Sequence, residues 1–172
     1  IYYKIRCILM SKKIEIVDYN SEFAPVNFTN SLRQTGFAVV KNHPIDTQLV
    51  DSVYQKWESF FNSDIKHNFL YDKNKQAQDG YFPFGTEHAK DYNYRDLKEF
   101  FNYYAVGQCP DTTSKQTKAL YSDLCRLAEN LLNWIELNTP ENIKSSFSMP
   151  LSKMVENSQR NLFRIINYPP LR

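Results

Sequence analysis

Three histidines, His43, His67 and His88, are the first candidates for chemistry in this chain of 172 residues. A site for iron, zinc or copper needs imidazoles and carboxylates whose spacing brings them to one point. No two of these histidines lie four residues apart on one predicted helix, and the sequence has no His-x-Asp motif. We therefore assign none of them to a metal, and we expect His67 on a solvated helix and His88 in a polar loop.

His43 is the most suggestive histidine because it lies at the exit of a predicted strand. The stretch GFAVVKNHPI, residues 36–45, contains a short apolar run that stops in a polar turn. Pro44 favours an extended conformation at His43 and so ends the strand. A catalytic role stays open, but the favoured interpretation is that the ring hydrogen-bonds the turn backbone and fixes a strand–helix corner.

A second candidate group consists of the carboxylates Asp96 and Glu99, which flank Lys98 at the start of a predicted strand. Such residues can perform acid–base catalysis, but a local ion pair that fixes a turn is the favoured interpretation. No serine or cysteine lies in a nucleophile-elbow or triad-like context, and four glycines leave no phosphate-binding loop. The residues alone therefore predict no complete catalytic site.

Composition narrows the class of protein further. Twelve Tyr, twelve Phe and two Trp predict a folded domain with a sizeable core. The net charge is only +2 and the lysines are scattered, so we expect no nucleic-acid partner. No apolar run is long enough for a transmembrane helix, so we expect no membrane partner. Three scattered cysteines suit a reducing compartment and predict a cytoplasmic protein.

The first half of the chain contains the patterns of two helices. Pro25 lies in the first turn of one of them, where proline is tolerated, and Gly36 ends it. In the second helix an apolar stripe follows Asp46, a plausible N-cap. The predicted elements are, in order, a strand at 14–19, a helix at 21–34, a strand at 37–40, a helix at 46–62 and a helical turn from 63.

The second half alternates loops with a long helix. Thr113 and Gln116 match a capping box at the start of that helix, and Pro140 is predicted at the first position of a short one. The predicted elements are a loop at 69–78, a bent aromatic segment at 80–85, a strand within 96–106, helices at 113–138 and from 140, a helical piece at 151–157 and a strand at 161–168. Because a sheet needs several strands, we expect a β-rich region to follow the last one.

Three separated motifs give this pattern a family resemblance. The first is GFAVVKNHPI at residues 36–45, with Pro44 where glycine is usual; the second is Gly80-Tyr81 followed by DLKEFF at residues 96–101. The third is RIINYPP at residues 164–170. Together and in this order they resemble the isopenicillin N synthase-like family of iron- and 2-oxoglutarate-dependent oxygenases.

The resemblance implies an α+β fold with an N-terminal helical region and the first strands of a double-stranded β-helix (jelly roll), truncated before most of the barrel. It implies that residues 10–160 form the N-terminal region of a non-haem dioxygenase and that residues 161–172 are the first part of the barrel. The residues MSKK at 10–13 resemble an ordinary start, so we expect residues 1–9 to be upstream sequence or a cloning remnant. A short edge strand is the alternative for residues 1–9.

The resemblance also implies chemistry. Members hold Fe(II) with two histidines and one carboxylate, and use 2-oxoglutarate and O2 to oxidise a small-molecule substrate. Those ligands follow the Tyr-Pro-Pro strand in the family, so no metal ligand or catalytic residue is expected in this chain. Tyr168 falls on a position that commonly contacts 2-oxoglutarate, and Ile166 lies where plant members often have asparagine.

The predicted function is therefore that of an N-terminal fragment of an oxygenase that hydroxylates, desaturates or cyclises a small molecule. We expect the fragment to be inactive alone. Two alternatives stay open. One is a non-catalytic interaction module or the product of a decayed gene. The other is half of a split enzyme, completed by a complementary C-terminal chain.

Overall fold

Short strands alternate with helices along the chain in the computed structural model, which describes residues 14–74, 78–88 and 94–170. The prediction for residues 1–9 lies outside this part. The strands are β1 Ile16–Asp18, β2 Val39–Lys41, β3 Gly80–Phe82, β4 Glu99–Tyr103 and β5 Phe163–Asn167, and the α-helices are α1 Ala24–Thr35, α2 Thr47–Phe61, α3 Asp111–Leu137 and α4 Glu141–Lys144. Two 3₁₀ helices span Asp64–Phe69 and Leu151–Met154. The predicted α+β class is confirmed.

The chain divides into two compact units. The first comprises the described residues of Ile1–His43 together with Asn130–Leu151, and the second comprises Pro44–Glu129 with the described residues from Ser152 onwards. Helix α3 contributes residues to both units. The segments predicted at 10–160 and 161–172 are a different division, defined by family resemblance, and they stay a prediction. None of the described helices has the length and apolar character needed to cross a membrane.

The first unit is built on a two-stranded parallel sheet, in which Ile16 pairs with Val39. Helix α1 begins with proline in its first turn and ends at Gly36, whose φ of 82° is left-handed and whose N–H donates to the Leu32 carbonyl at 2.8 Å. Both predictions for this helix are confirmed. The apolar core of this unit consists of Val17, Ala24 and Phe28, with partly buried neighbours that include Leu131, Trp134 and Ile135.

The second unit is built on an antiparallel sheet with the strand order β3-β4-β5. Phe100 in the central strand pairs with Phe82 on one side and with Ile166 on the other. All five residues of β4 are buried, as expected for a central strand. The order leaves β5 with one partner strand among the described residues.

Helix α2 packs an aromatic stripe against this sheet. Its predicted N-cap is confirmed, since the Asp46 side chain accepts a hydrogen bond from the backbone N–H of Gln48 at 2.9 Å. Trp57 lies at the centre of the core, with its ring centroid 4.8 Å from that of Phe101. Its indole N–H donates to the buried Thr117 hydroxyl of α3 at 2.9 Å, so this buried donor has a hydrogen-bond partner.

Two helix starts differ from the sequence expectations. The prediction of a capping box at Thr113 is wrong, because α3 begins at Asp111 and Thr113 is buried in its first turn. The Thr113 hydroxyl donates instead to the carbonyl of Pro110 at 3.0 Å. Pro140 is the N-cap of α4 rather than its first residue.

Candidate functional site

The sheet β3-β4-β5 has two chemically different faces. Successive side chains of a strand point to opposite faces. We call the first one the core face; it carries Tyr81, Glu99, Phe101, Tyr103, Phe163, Ile165 and Asn167, which contact the aromatic core or one another. We call the other one the second face; it carries Phe82, Phe100, Asn102, Arg164, Ile166 and, by continued alternation, Tyr168.

A stacked column occupies the middle of the second face. The rings of Phe82 and Phe100 stack with centroids 4.5 Å apart and planes 10° from parallel. The guanidinium of Arg164 lies 4.5 Å above the Phe100 ring, an arrangement that favours the cation. Its Nε donates to the Asn102 side-chain oxygen at 3.0 Å. Arg164 is therefore held in a fixed orientation on this face.

The charges next to this column form a local group. Lys98 pairs with Asp96 at 2.9 Å and with Glu87 at 3.1 Å, and Glu87 lies 3.6 Å from Arg164. The hydrogen bond to Asp96, with that to Glu87, raises the pKa of Lys98. The predicted ion pair of Asp96 and Lys98 is confirmed. The prediction is wrong for Glu99, whose side chain points to the core face.

Tyr168 follows directly after β5. The residue is 69 % exposed, and Pro169 favours an extended backbone at this position. Ile166, two residues earlier on the second face, is also exposed. If the alternation of β5 continues one residue past Asn167, the exposed Tyr168 shares this face with Ile166 and Arg164.

On the core face, Glu99 is the centre of a buried hydrogen-bond network. The carboxylate accepts from Lys66 Nζ at 2.9 Å, from Asn167 Nδ2 at 2.8 Å and from the Tyr81 hydroxyl. Burial alone would raise the pKa of the Glu99 carboxyl. The hydrogen bonds outweigh burial, and the pKa lies below its usual value. Burial and the adjacent carboxylate raise the pKa of Tyr81, so this phenol stays a donor at neutral pH.

The Gly80-Tyr81 motif requires glycine at its first position. The φ of Gly80 is 112°, and an added Cβ would lie 2.7 Å from the Phe69 carbonyl oxygen. Glycine is thus required at the start of β3 for the backbone to approach so closely. This placement brings the next residue, Tyr81, into the core beside Glu99.

Sequence reasoning missed this network. Glu99 lies in phase with Phe101 and Tyr103, which is the signal that it shares their buried face. Its partners Lys66 and Asn167 are 33 and 68 residues away in sequence. No local pattern predicts contacts at such separations.

The three histidines do not come together as a metal site. His43 is exposed in the turn after β2, and His88 is exposed where an isolated bridge pairs it with Arg95. His67 is exposed in a 3₁₀ helix, with its ring edge-on to Tyr81 at 5.8 Å. Among the described residues, no group of three or more His, Cys, Asp or Glu side chains could hold a metal ion. The described part of this chain therefore does not fit an iron ion.

The comparisons with known proteins identify the family. A family profile described as "non-haem dioxygenase in morphine synthesis N-terminal" matches residues 26–122. A protein from Shewanella oneidensis, described as an oxygenase, is 40% identical with a TM-score of 0.82, over 92% of this chain and 55% of that chain. The comparison with curated proteins gives no match.

More distant structures share the fold. A member of the 2OG-Fe(II) oxygenase family from Caulobacter crescentus is 21% identical with a TM-score of 0.62, over 92% of this chain and 57% of that one. A full-length protein of Neurospora crassa, solved in complex with alpha-KG (2-oxoglutarate), is 17% identical with a TM-score of 0.65, over 91% and 54%. The chain spans little more than half the length of these three structures. The profile match spans more than half of this chain, which therefore belongs to the non-haem dioxygenase family and covers its N-terminal portion.

Proposed function

We propose that this chain is the N-terminal part of an oxygenase that uses Fe(II), 2-oxoglutarate and O2 to hydroxylate, desaturate or cyclise a small-molecule substrate. The observation that carries the proposal is the RIINYPP motif at the edge of the antiparallel sheet, where Arg164 lies on the second face and β5 leads directly into the exposed Tyr168. The 40% identity to the Shewanella oneidensis protein, described as an oxygenase, supports it independently of that motif.

In this proposal Tyr168 binds the cosubstrate. Its exposed phenol donates a hydrogen bond to an oxygen of 2-oxoglutarate, and a donor facing a carboxylate forms a charge-assisted bond. Pro169 restricts the backbone of Tyr168, which limits the entropy lost on binding. When bound together in such an enzyme, iron, 2-oxoglutarate and O2 oxidise a C–H bond and release succinate and CO2.

The iron ligands are proposed to come from a C-terminal region that forms most of a jelly-roll barrel. The described residues contain no group that could hold the metal. In this proposal the chain contributes the second face of its sheet to the active site, and the C-terminal region contributes the iron ligands. We expect the 172-residue chain alone to show no stoichiometric Fe(II) complex in a titration, with or without 2-oxoglutarate. A tight one-to-one complex would contradict this assignment.

A split enzyme is a second candidate, favoured by the state of β5. This strand pairs only with β4 among the described strands, so its other edge offers backbone hydrogen bonds to a further strand. The exposed Ile166 adds apolar surface beside that edge. A complementary C-terminal chain could supply the missing strands in trans.

The free thiols of Cys109 and Cys125 are consistent with a reducing compartment, so we propose that the enzyme works in the cytoplasm. The experiment on function joins this chain to the C-terminal half of the Shewanella oneidensis relative. We expect Fe(II)-dependent formation of succinate from 2-oxoglutarate, and a sample without iron is the control. Co-expression of the two halves as separate chains tests the split enzyme.

If the fused protein folds cooperatively and binds Fe(II) but forms no succinate under O2, the oxygenase proposal fails. That result would favour the non-catalytic interaction module. If only the fused protein forms succinate and the separate halves do not associate, the split enzyme fails while the oxygenase proposal stands.

A further inference from the structure

The carboxylate of Glu99 is held by donors from three other elements. Lys66 lies in the 3₁₀ helix after α2, Tyr81 in β3 and Asn167 in β5. Lys66 Nζ also donates to the Phe61 carbonyl of α2 at 2.7 Å. Only 6 % of the Glu99 side chain is exposed, and a buried carboxylate requires such partners. This network therefore fixes the position of every group attached to it.

The contact between Asn167 and Glu99 lies at the last position of the sheet register. Glu99 pairs with Asn167 in the ladder of β4 and β5, and their side chains meet on the core face at 2.8 Å. Two prolines follow Tyr168, so the chain leaves the sheet directly afterwards. The Asn167 side chain is thus the last tie from β5 into the core before Tyr168.

We propose that Glu99 is a positioning residue for the cosubstrate, acting through Asn167 to fix the end of β5 and hence the Tyr168 hydroxyl. This inference rests on the proposed function, because it needs Tyr168 to contact 2-oxoglutarate. Alternation makes the coupling direct. With Asn167 anchored on the core face, continued alternation directs the next side chain to the second face. A loosened strand end would let the phenol move away from its hydrogen bond.

Asn167→Ala separates this role from general stability. The substitution leaves Glu99 paired with Lys66 and Tyr81, so the buried charge keeps two donors. The matched control is Tyr121→Phe, which removes the hydrogen bond from the Tyr121 hydroxyl to the Asn161 carbonyl at 3.3 Å. That bond ties the segment before the opposite end of β5 to helix α3.

The first readout is amide hydrogen exchange in the 172-residue chain. We expect Asn167→Ala to speed exchange at residues 166–168 about fivefold to tenfold, as loss of one hydrogen bond predicts. Tyr121→Phe is expected to leave exchange at these residues unchanged. Equal exchange in wild type and Asn167→Ala would overturn the inference, because the strand end would then be fixed without this contact.

The second readout is the KM for 2-oxoglutarate in the protein completed by the relative's C-terminal half. We expect Asn167→Ala to raise this KM about fivefold with a smaller change in kcat, and to have no further effect in a Tyr168→Phe background. If Tyr168→Phe raises the KM and Asn167→Ala does not, the positioning role fails while the proposed function stands. If neither the wild type nor any variant turns over 2-oxoglutarate, the proposed function fails, and the inference with it.

Discussion

The two faces of the sheet β3-β4-β5 differ in what their charges do. On the core face, the side chain of Glu99 is buried and that of Lys66 is half-buried, with 6 % and 19 % exposure, and the two are joined at 2.9 Å. On the second face, Lys98 is also half-buried, but its partners Asp96 and Glu87 are 41 % and 36 % exposed. The first arrangement fixes strands to a helix, whereas the second leaves a rim that water reaches.

One sheet thus combines a core face that stabilises the unit with a second face that is partly open to solvent. Strand alternation sends adjacent residues to opposite faces, so Asn167 is bound to the core while Tyr168 is exposed. A rigid core face then holds the second face in place. Functional groups on strands are positioned more accurately than those on loops for this reason.

The largest expected effect is on the aromatic core. Phe101→Ala should lower the free energy of unfolding by about 3–5 kcal/mol, because a fully buried aromatic ring is lost beside Trp57. Ile166→Ala on the second face is the matched control, with an expected loss of about 1 kcal/mol or less. Urea denaturation measures both. Equal losses would break the distinction between the faces.

The next effect compares the two lysines. Lys66→Met should cost about 3 kcal/mol, since it leaves the buried Glu99 carboxylate without its counter-charge. Lys98→Met should cost less than about 1 kcal/mol, because its acidic partners stay hydrated. The same urea titrations apply, and a larger loss for Lys98→Met would reverse our assignment of the faces.

A smaller effect is expected on the stability of the folded chain at acidic pH. The pKa of Glu99 is lower in the folded chain than its usual value of 4.5, so its ionised form favours folding. That contribution is complete above the unfolded-state pKa and is lost as pH falls through the folded-state pKa. The stability advantage of the wild type over Glu99→Gln should therefore shrink below about pH 4.5. Thermal melts from about pH 7 to about pH 3 measure it, and a constant difference would mean that Glu99 is not ionised in the network.

Local patterns predicted the elements whose causes are local. The α2 helix, its Asp46 cap and the Gly36 helix end follow from periodicity, side-chain capping and a left-handed φ. The strand at β5 was visible as an apolar run stopped by Pro169. The ion pair of Lys98 and Asp96 was predictable because its members are two residues apart.

Features set by distant contacts were not predictable. The three residues of β3 were predicted only as a bent segment, because they become a strand by pairing with β4 about twenty residues later. Thr113 matched a capping box, but α3 had already begun at Asp111. The adjacent Lys98 predicts a local ion pair for Glu99, but its three donors come from other elements. The cosubstrate contact of Tyr168 came from family resemblance and stays a prediction.

The substitution Tyr168→Phe tests the different roles of the two faces most directly. In the completed oxygenase it should raise the KM for 2-oxoglutarate about tenfold, as loss of one hydrogen bond to a carboxylate predicts. In the 172-residue chain it should change the free energy of unfolding by less than about 0.5 kcal/mol, because the side chain is exposed. An active enzyme with an unchanged KM, or a chain that is strongly destabilised, would contradict the account.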